Sequence, residues 1–268
     1  MRVVLITGSE IRHRYIAAEL AAFGIDLMCF CERTPVQRQK VIMGAHYETR
    51  LSYEKESLYS EELDDQKIAI KGKIRFIEKG AFNSDKQLQA EVKNFSPKFI
   101  FFYGCSIIPN NVIEAFSAPL INVHLGLSPY YRGSGTNFWP IYNGEPEFCG
   151  VTYHRLVAKV DAGEICFQRR SDPLQDGNVH SHGFNLIKGI PNDLVKIFDL
   201  KYENIFSPGK ISFPVSPRLL YKQSDFNEEV SEYVDLNFND LMEDYTINKI
   251  ERDLQAPILN FETRYLNQ

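Results

Sequence analysis

The first 31 residues constrain the fold more than any other part of the chain. Arg2-Val-Val-Leu-Ile-Thr7 is a short apolar, β-branched run, the pattern of a strand buried on both faces. Gly8-Ser9 breaks it, and Glu10 to Phe23 carries Ile11, Tyr15, Ala18, Leu20 and Ala22 at helical spacing. Gly24 is a natural helix stop, and Ile25 to Cys31 returns to a strand pattern. Strand, helix and strand in this span predict a parallel, right-handed crossover and a doubly wound α/β sheet. The turn is not a dinucleotide fingerprint, since it holds Gly8 alone where that motif needs three glycines. The helix start can still hold an anion on its free backbone N–H groups, helped by Ser9, Arg12, His13 or Arg14. The same arginines read equally as a solvated helix face.

At 268 residues the chain exceeds the usual single domain, so one large domain with an appendage, or two domains, is expected. A net charge of −5 without long blocks of one sign leaves no footprint for nonspecific binding to a polyanion, a local basic patch aside. The five cysteines, Cys29, Cys31, Cys105, Cys149 and Cys166, are odd in number and form no disulfide or metal framework. Cys29 and Cys31 read as two strand residues on one face. The opening apolar run ends at Thr7 and shows neither a secretory signal nor a membrane span. These features predict a soluble, cytoplasmic protein with reduced thiols.

Further along, Arg33 to Lys73 is polar, with an acidic helical segment from Tyr47 to Leu63 that reads as a surface excursion. A strand at Lys73–Ile77, a helix at Phe82–Phe95 and a central strand at Lys98–Tyr103 follow, the last broken by Gly104-Cys-Ser106, with a short helix between Ile107 and Phe116. The next strand holds Asn122 and His124 two residues apart, so an amide and an imidazole share one face. The strand gives way to a Gly/Ser/Pro/Tyr loop ending at Arg132-Gly133. In open α/β sheets ligands collect beyond such strand ends. The pair also reads as a satisfied core histidine beside a strand-end cap. A helix at Thr136–Asn143, strands at Phe148–His154 and Glu164–Gln168, and the Val157–Gly163 loop between those strands complete this part. Asp161 in that loop is either a turn former or a charge partner for His124. His180 and His182 lack ligand spacing and read as loop and helix-start residues; no metal site is expected.

Asn122-Val-His124, Leu127-Ser-Pro129, Arg132-Gly133, Trp139-Pro140, Asn143-Gly-Glu145, Gly150-Val-Thr152 and Asp161-Ala-Gly-Glu-Ile165 with Gln168 stand in this order. The ordered set resembles the formyltetrahydrofolate-dependent formyltransferases, which include glycinamide ribonucleotide, methionyl-tRNA and sugar N-formyltransferases. The resemblance runs from about Ile100 to Gln168, is weaker before it and scarcely touches the last third. One departure stands out. Relatives often read His-x-Ser-Leu-Leu-Pro, and this chain reads His124-Leu-Gly-Leu-Ser-Pro129.

The resemblance implies a Rossmann-like, mostly parallel catalytic domain over residues 1–190 and a small C-terminal region over 191–268 for acceptor binding or dimerisation. It implies that Asn122 and a protonated His124 donate hydrogen bonds to a developing oxyanion. Asp161 would raise the His124 pKa and assist proton transfer. Formyltetrahydrofolate would be the co-substrate, its pterin lying against Tyr103, Gly104, Cys105, Ser106, Ile107 and Ile108 and against Val157, Lys159 and Val160. Gly8, Ser9, Arg132 and Gly133 would face the acceptor.

The acceptor is read from the tail, which is Tyr-rich and includes an acidic helix from Glu228 to Asp244. Such a tail is a poor electrostatic match for tRNA, and glycinamide ribonucleotide enzymes are normally shorter. A nucleotide-linked amino deoxysugar of surface-polysaccharide assembly fits better, and nucleic acid is not an expected partner. Tyr130, Tyr131, Trp139 or Tyr221 could stack on a base or sugar, or pack a core. A homodimer, another amine acceptor and a non-catalytic folate-binding role stay open, the last opposed by the intact Asn122, His124 and Asp161.

Overall fold

The computed structural model describes residues 1–33, 51, 52, 55, 74–174, 176–200, 205, 206, 219–262 and 265. The polar stretch from Arg33 to Lys73, with its expected acidic helix, lies almost wholly outside these residues, as does the Pro/Gly-containing run 207–218.

A seven-stranded sheet forms the centre, in the order β3-β2-β1-β4-β5-β7-β8. β1 (Arg2–Gly8), β2 (Asp26–Arg33), β3 (Ile74–Glu78), β4 (Phe99–Tyr103) and β5 (Leu120–His124) run parallel; β7 (Gly150–Arg155) is antiparallel to β5, and β8 (Ile165–Arg170) is antiparallel to β7. The doubly wound, mostly parallel sheet expected from the opening residues is therefore present. The chain winds outward through β2 and β3, then returns to place β4 on the other side of β1. That reversal between β1 and β4 opens a crevice at their carboxyl ends.

Strand alternation divides the core into two layers. Val3 and Leu5 of β1 point to helices α1 (Ile11–Ala22) and α3 (Val179–Phe198), packing with Ile16, Leu20, Ile187, Ile190 and Leu194. Val4 and Ile6 point the other way, toward Phe82 and the Leu88 and Val92 side chains of α2 (Lys86–Phe95). The helix expected over Phe82–Phe95 is in two pieces. Asp85 adopts an extended conformation and its carboxylate accepts from Gln87 N (2.8 Å) and Leu88 N (3.3 Å), capping a fresh helix.

α3 begins with a reciprocal cap in which Asn178 Oδ1 accepts from Ser181 N and Ser181 Oγ accepts from Asn178 N. His180 and His182 thus sit inside a helix. α3 runs through residue 190 to Phe198, so the boundary expected there falls within an element whose Ile190, Leu194 and Ile197 belong to the sheet's own core. Beyond it, β9 (Leu219–Tyr221) pairs with β6 (Tyr131–Gly133), followed by α4 (Glu228–Ile247) and α5 (Lys249–Gln255). Through Tyr221, Phe226, Val230, Ala256 and Ile258 the tail shares a core with Leu127, Tyr130, Tyr131, Trp139 and Phe148. Arg252 of α5 donates through Nε and Nη2 to the buried Glu147 carboxylate (3.0 and 2.7 Å), fastening the tail to the sheet side. No described helix is long and apolar enough to cross a membrane.

Candidate active site

β5 leaves the core as a mixed strand. Ile121 and Val123 join the layer beneath α1 and α3, while Asn122 and His124 face the opposite side. The antiparallel register sets His154 of β7 directly across from Asn122, and Thr152 across from His124. Asn122 Nδ2 lies 3.0 Å from His154 Nε2, and His154 Nδ1 lies 2.9 Å from Arg155 O. Since the carbonyl can only accept, Nδ1 carries the proton and Nε2 accepts from the amide. This fixes Asn122 with its NH₂ end toward the site.

Asp161 completes the group. Its Oδ1 stands 3.2 Å from His124 Nδ1 and 3.7 Å from His154 Nε2. Its backbone has a positive φ of 49°, a conformation Asp tolerates better than most residues. Gly163 lets the loop turn in this close: a Cβ there would lie 1.7 Å from Arg155 O. Burial pushes the Asp161 carboxyl up, but His154, His124 and Arg132 together hold it below the usual carboxylate range. Burial pushes His124 below the ordinary histidine range; the Asp161 charge opposes this without overcoming it, and His154 adds to it. The expectation of a protonated resting His124 is therefore corrected. Desolvation outweighs the neighbouring Asp161 charge; Nδ1 lies 3.2 Å from Asp161 Oδ1, and Nε2 is buried.

These residues open onto a cleft of about 770 Å³ at the carboxyl ends of β4 and β5. One wall is the loop from Tyr103 to Ile108, and another is formed by Val157, Val160 and Asp161. Ile107 and Val160 are 69% and 48% exposed, so apolar surface is offered to a flat ligand. The loop owes its shape to Glu32, which no sequence motif marked. Its buried carboxylate accepts from Ser106 N (2.7 Å), Ser106 Oγ (2.7 Å) and Gly80 N (3.1 Å). Burial, then the Glu32 charge, pushes the Cys105 thiol up to about 12, leaving it unreactive. Lys159 is exposed and does not line the cleft, unlike the other residues expected around the pterin.

The acceptor-side expectations divide. Glu10, Arg12 and His13 line the cleft, whereas Gly8 and Ser9 do not; Gly8 lies against the His13 ring. Arg12 is paired with Glu10, so an acidic group stands at this helix start. Arg132 Nη2 donates to Val160 O (3.0 Å), steadying the Asp161 loop, and only Gly133 of that pair lines the cleft. Among the described residues no group of three or more His, Cys, Asp or Glu is arranged to hold a metal ion.

A formyl transferase family model matches residues 51–180. Methionyl-tRNA formyltransferase of Malacoplasma penetrans is 30% identical over 180 residues, which cover 64% of this chain and 54% of that protein. The chain thus spans about half the length of this curated relative. A 4-N formyltransferase from Francisella tularensis superposes with a TM-score of 0.55 at 18% identity, covering 88% of this chain and 86% of the other. A sugar N-formyltransferase from Shewanella superposes at 0.52 with 15% identity, covering 88% and 87%. These two likenesses are of fold.

Proposed function

As this chain belongs to the formyl transferase family, we infer that it transfers a formyl group from formyltetrahydrofolate to the primary amine of a nucleotide-linked amino deoxysugar. One observation carries the reading: Asn122, His124 and Asp161 meet at the mouth of a single cleft, with the Tyr103–Ile108 loop beside them. The exposed apolar edges of Ile107 and Val160 and the Glu32-braced backbone between Gly104 and Ser106 fit a flat, hydrogen-bonding ring such as a pterin. The folate supplies the formyl carbon and the nitrogen that leaves.

Each residue then has a distinct task. Attack by the amine places negative charge on the formyl oxygen, and Asn122 Nδ2 donates to it from an orientation set by His154. The amine must lose one proton and the departing nitrogen must gain one. His124, which lines the cleft and stands 3.2 Å from Asp161, is the group placed to carry that proton from one nitrogen to the other and return to its starting state. Asp161, ionised and 3.2 Å from Nδ1, stabilises the imidazolium that exists in between.

The choice of acceptor rests on charge. α4 carries seven carboxylates and no basic residue, a face that repels a polyanion such as tRNA. The 30% identity to a methionyl-tRNA enzyme keeps aminoacylated tRNA as the second reading. The test is release of tetrahydrofolate in the presence of nucleotide-linked 3-amino and 4-amino deoxysugars, glycinamide ribonucleotide and methionyl-tRNA. Turnover with an amino sugar alone is expected. Turnover with methionyl-tRNA alone would replace the sugar reading, and folate binding without transfer to any amine would remove the catalytic one.

A further inference from the structure

The tail supplies part of the cleft itself. β9 pairs in parallel with β6, Tyr221 opposite Gly133, and Ser134 N donates to Tyr221 O (2.9 Å). The Tyr221 ring lies flat on Trp139, with centroids 4.1 Å apart and 4° between the planes. Asn143 Nδ2 donates to the Tyr221 hydroxyl (3.0 Å). The next residue is fixed as well, because Lys222 N donates to Asp225 Oδ2 (2.7 Å). Its backbone is anchored on both sides, while its exposed side chain remains free to reach. Lys222 lines the cleft together with Phe138 and Phe226, whose rings meet edge to face with centroids 5.1 Å apart.

The other cations of the cleft are differently placed. Arg12 is paired with Glu10. Lys79 precedes Gly80, whose N–H is held by the Glu32 carboxylate that shapes the folate-side loop. Lys222 instead lines the cleft with its side chain exposed. An exposed cation beside two aromatic rings suits an anionic ligand that carries a flat ring.

We propose that Lys222 binds the phosphate groups of a nucleoside-diphosphate acceptor, with Phe138 and Phe226 forming the apolar surface for its base or sugar. The tail is then the part of the chain that reads the acceptor. The proposal rests on the functional reading above for the amine, but its anion site can be measured without catalysis.

Trp139 is the single tryptophan of the chain, and its contact with Tyr221 makes its fluorescence a local reporter. Titrating the full chain with uridine diphosphate, thymidine diphosphate and pyrophosphate should give saturable changes, with the nucleotides binding more tightly than pyrophosphate. Lys222→Ala should weaken each by about tenfold, and Lys222→Arg should restore most of the loss. In turnover, Lys222→Ala should raise the acceptor KM by a similar factor and leave the formyltetrahydrofolate KM unchanged. Equal affinities in wild type and Lys222→Ala, or no saturable response to any of the three, would overturn the proposal. Lys222-dependent nucleotide binding without formyl transfer would instead sink the functional reading and leave the anion site standing.

Discussion

Asn122 and His154 face each other across the antiparallel β5–β7 pair, amide nitrogen to ring nitrogen at 3.0 Å. With His154 Nδ1 committed to Arg155 O, the ring can receive the amide only through its NH₂ end. Under the proposed function, His154 is therefore a positioning residue for Asn122 as oxyanion donor. Asn122→Ala is expected to lower kcat by about a hundredfold or more, the usual cost of a lost oxyanion donor. His154→Ala should cost about tenfold by letting the amide rotate, with the folate Kd unchanged in both. A His154 variant with full kcat would show that the amide needs no such partner.

Burial lowers the His124 pKa more than Asp161 raises it. If His124 accepts the proton as proposed, it works in the neutral form, so kcat/KM should stay flat through neutrality and fall only as pH drops below 6.5, the ordinary histidine value. Asp161→Asn removes the charge that raises the pKa, so the acid limb should move to still lower pH while kcat falls about a hundredfold or more from loss of imidazolium stabilisation. A limb that moved upward in Asp161→Asn would invert the assignment of roles.

The strands were legible because apolar runs of the right length have few alternatives, and Asn122 with His124 because a period of two needs no tertiary information. Asp85 was hidden inside an unbroken helical pattern, since its cap depends on a backbone excursion that periodicity does not register. Glu32 and His154 were not legible as site residues. Each acts on a partner distant in sequence, Ser106 and Asn122, through a register that the fold alone sets. The direction of the His124 shift was misread for a related reason. A neighbouring carboxylate can be guessed from sequence, whereas the depth of burial that outweighs it cannot. The tail's place at the cleft depends on Tyr221 meeting Trp139, a contact that no local pattern announces.

The departure at Gly126 has a steric cause. A Cβ at this position would lie 2.7 Å from His124 Nε2 and 2.7 Å from both Cβ and Oγ1 of Thr136. Thr136 donates its hydroxyl to Leu125 O and occupies the space that a serine at 126 would need. Gly126→Ser should therefore displace the His124 ring and lower kcat at least tenfold, with folate binding retained. Adding Thr136→Gly to that variant should recover part of the loss, because the crowding atoms are gone. Full activity in Gly126→Ser alone would show that the ring has room to spare.

His182 gives the fold a dependence on pH separate from catalysis. Burial pushes its pKa down to about 4, and its Nε2 has no hydrogen-bond partner on the side of α3 that meets Phe238 of α4. In the unfolded chain the same ring titrates near 6.5. Below that value the unfolded state binds the extra proton, so stability is lost as pH falls from about 6.5 to about 4, and no further loss from this group follows below. The full difference is about 3 kcal/mol. His182→Leu removes the titration and the unpartnered nitrogen together, and should leave stability at pH 7 within about 1 kcal/mol of wild type. Denaturant unfolding at pH 7 and pH 4.5 checks this: wild type should lose about 2 kcal/mol more than the variant over that interval, with the acid sensitivity of all other groups cancelling in the comparison. Equal losses in the two proteins would mean that His182 reaches water in the folded state and that the α3–α4 contact is looser than its geometry suggests.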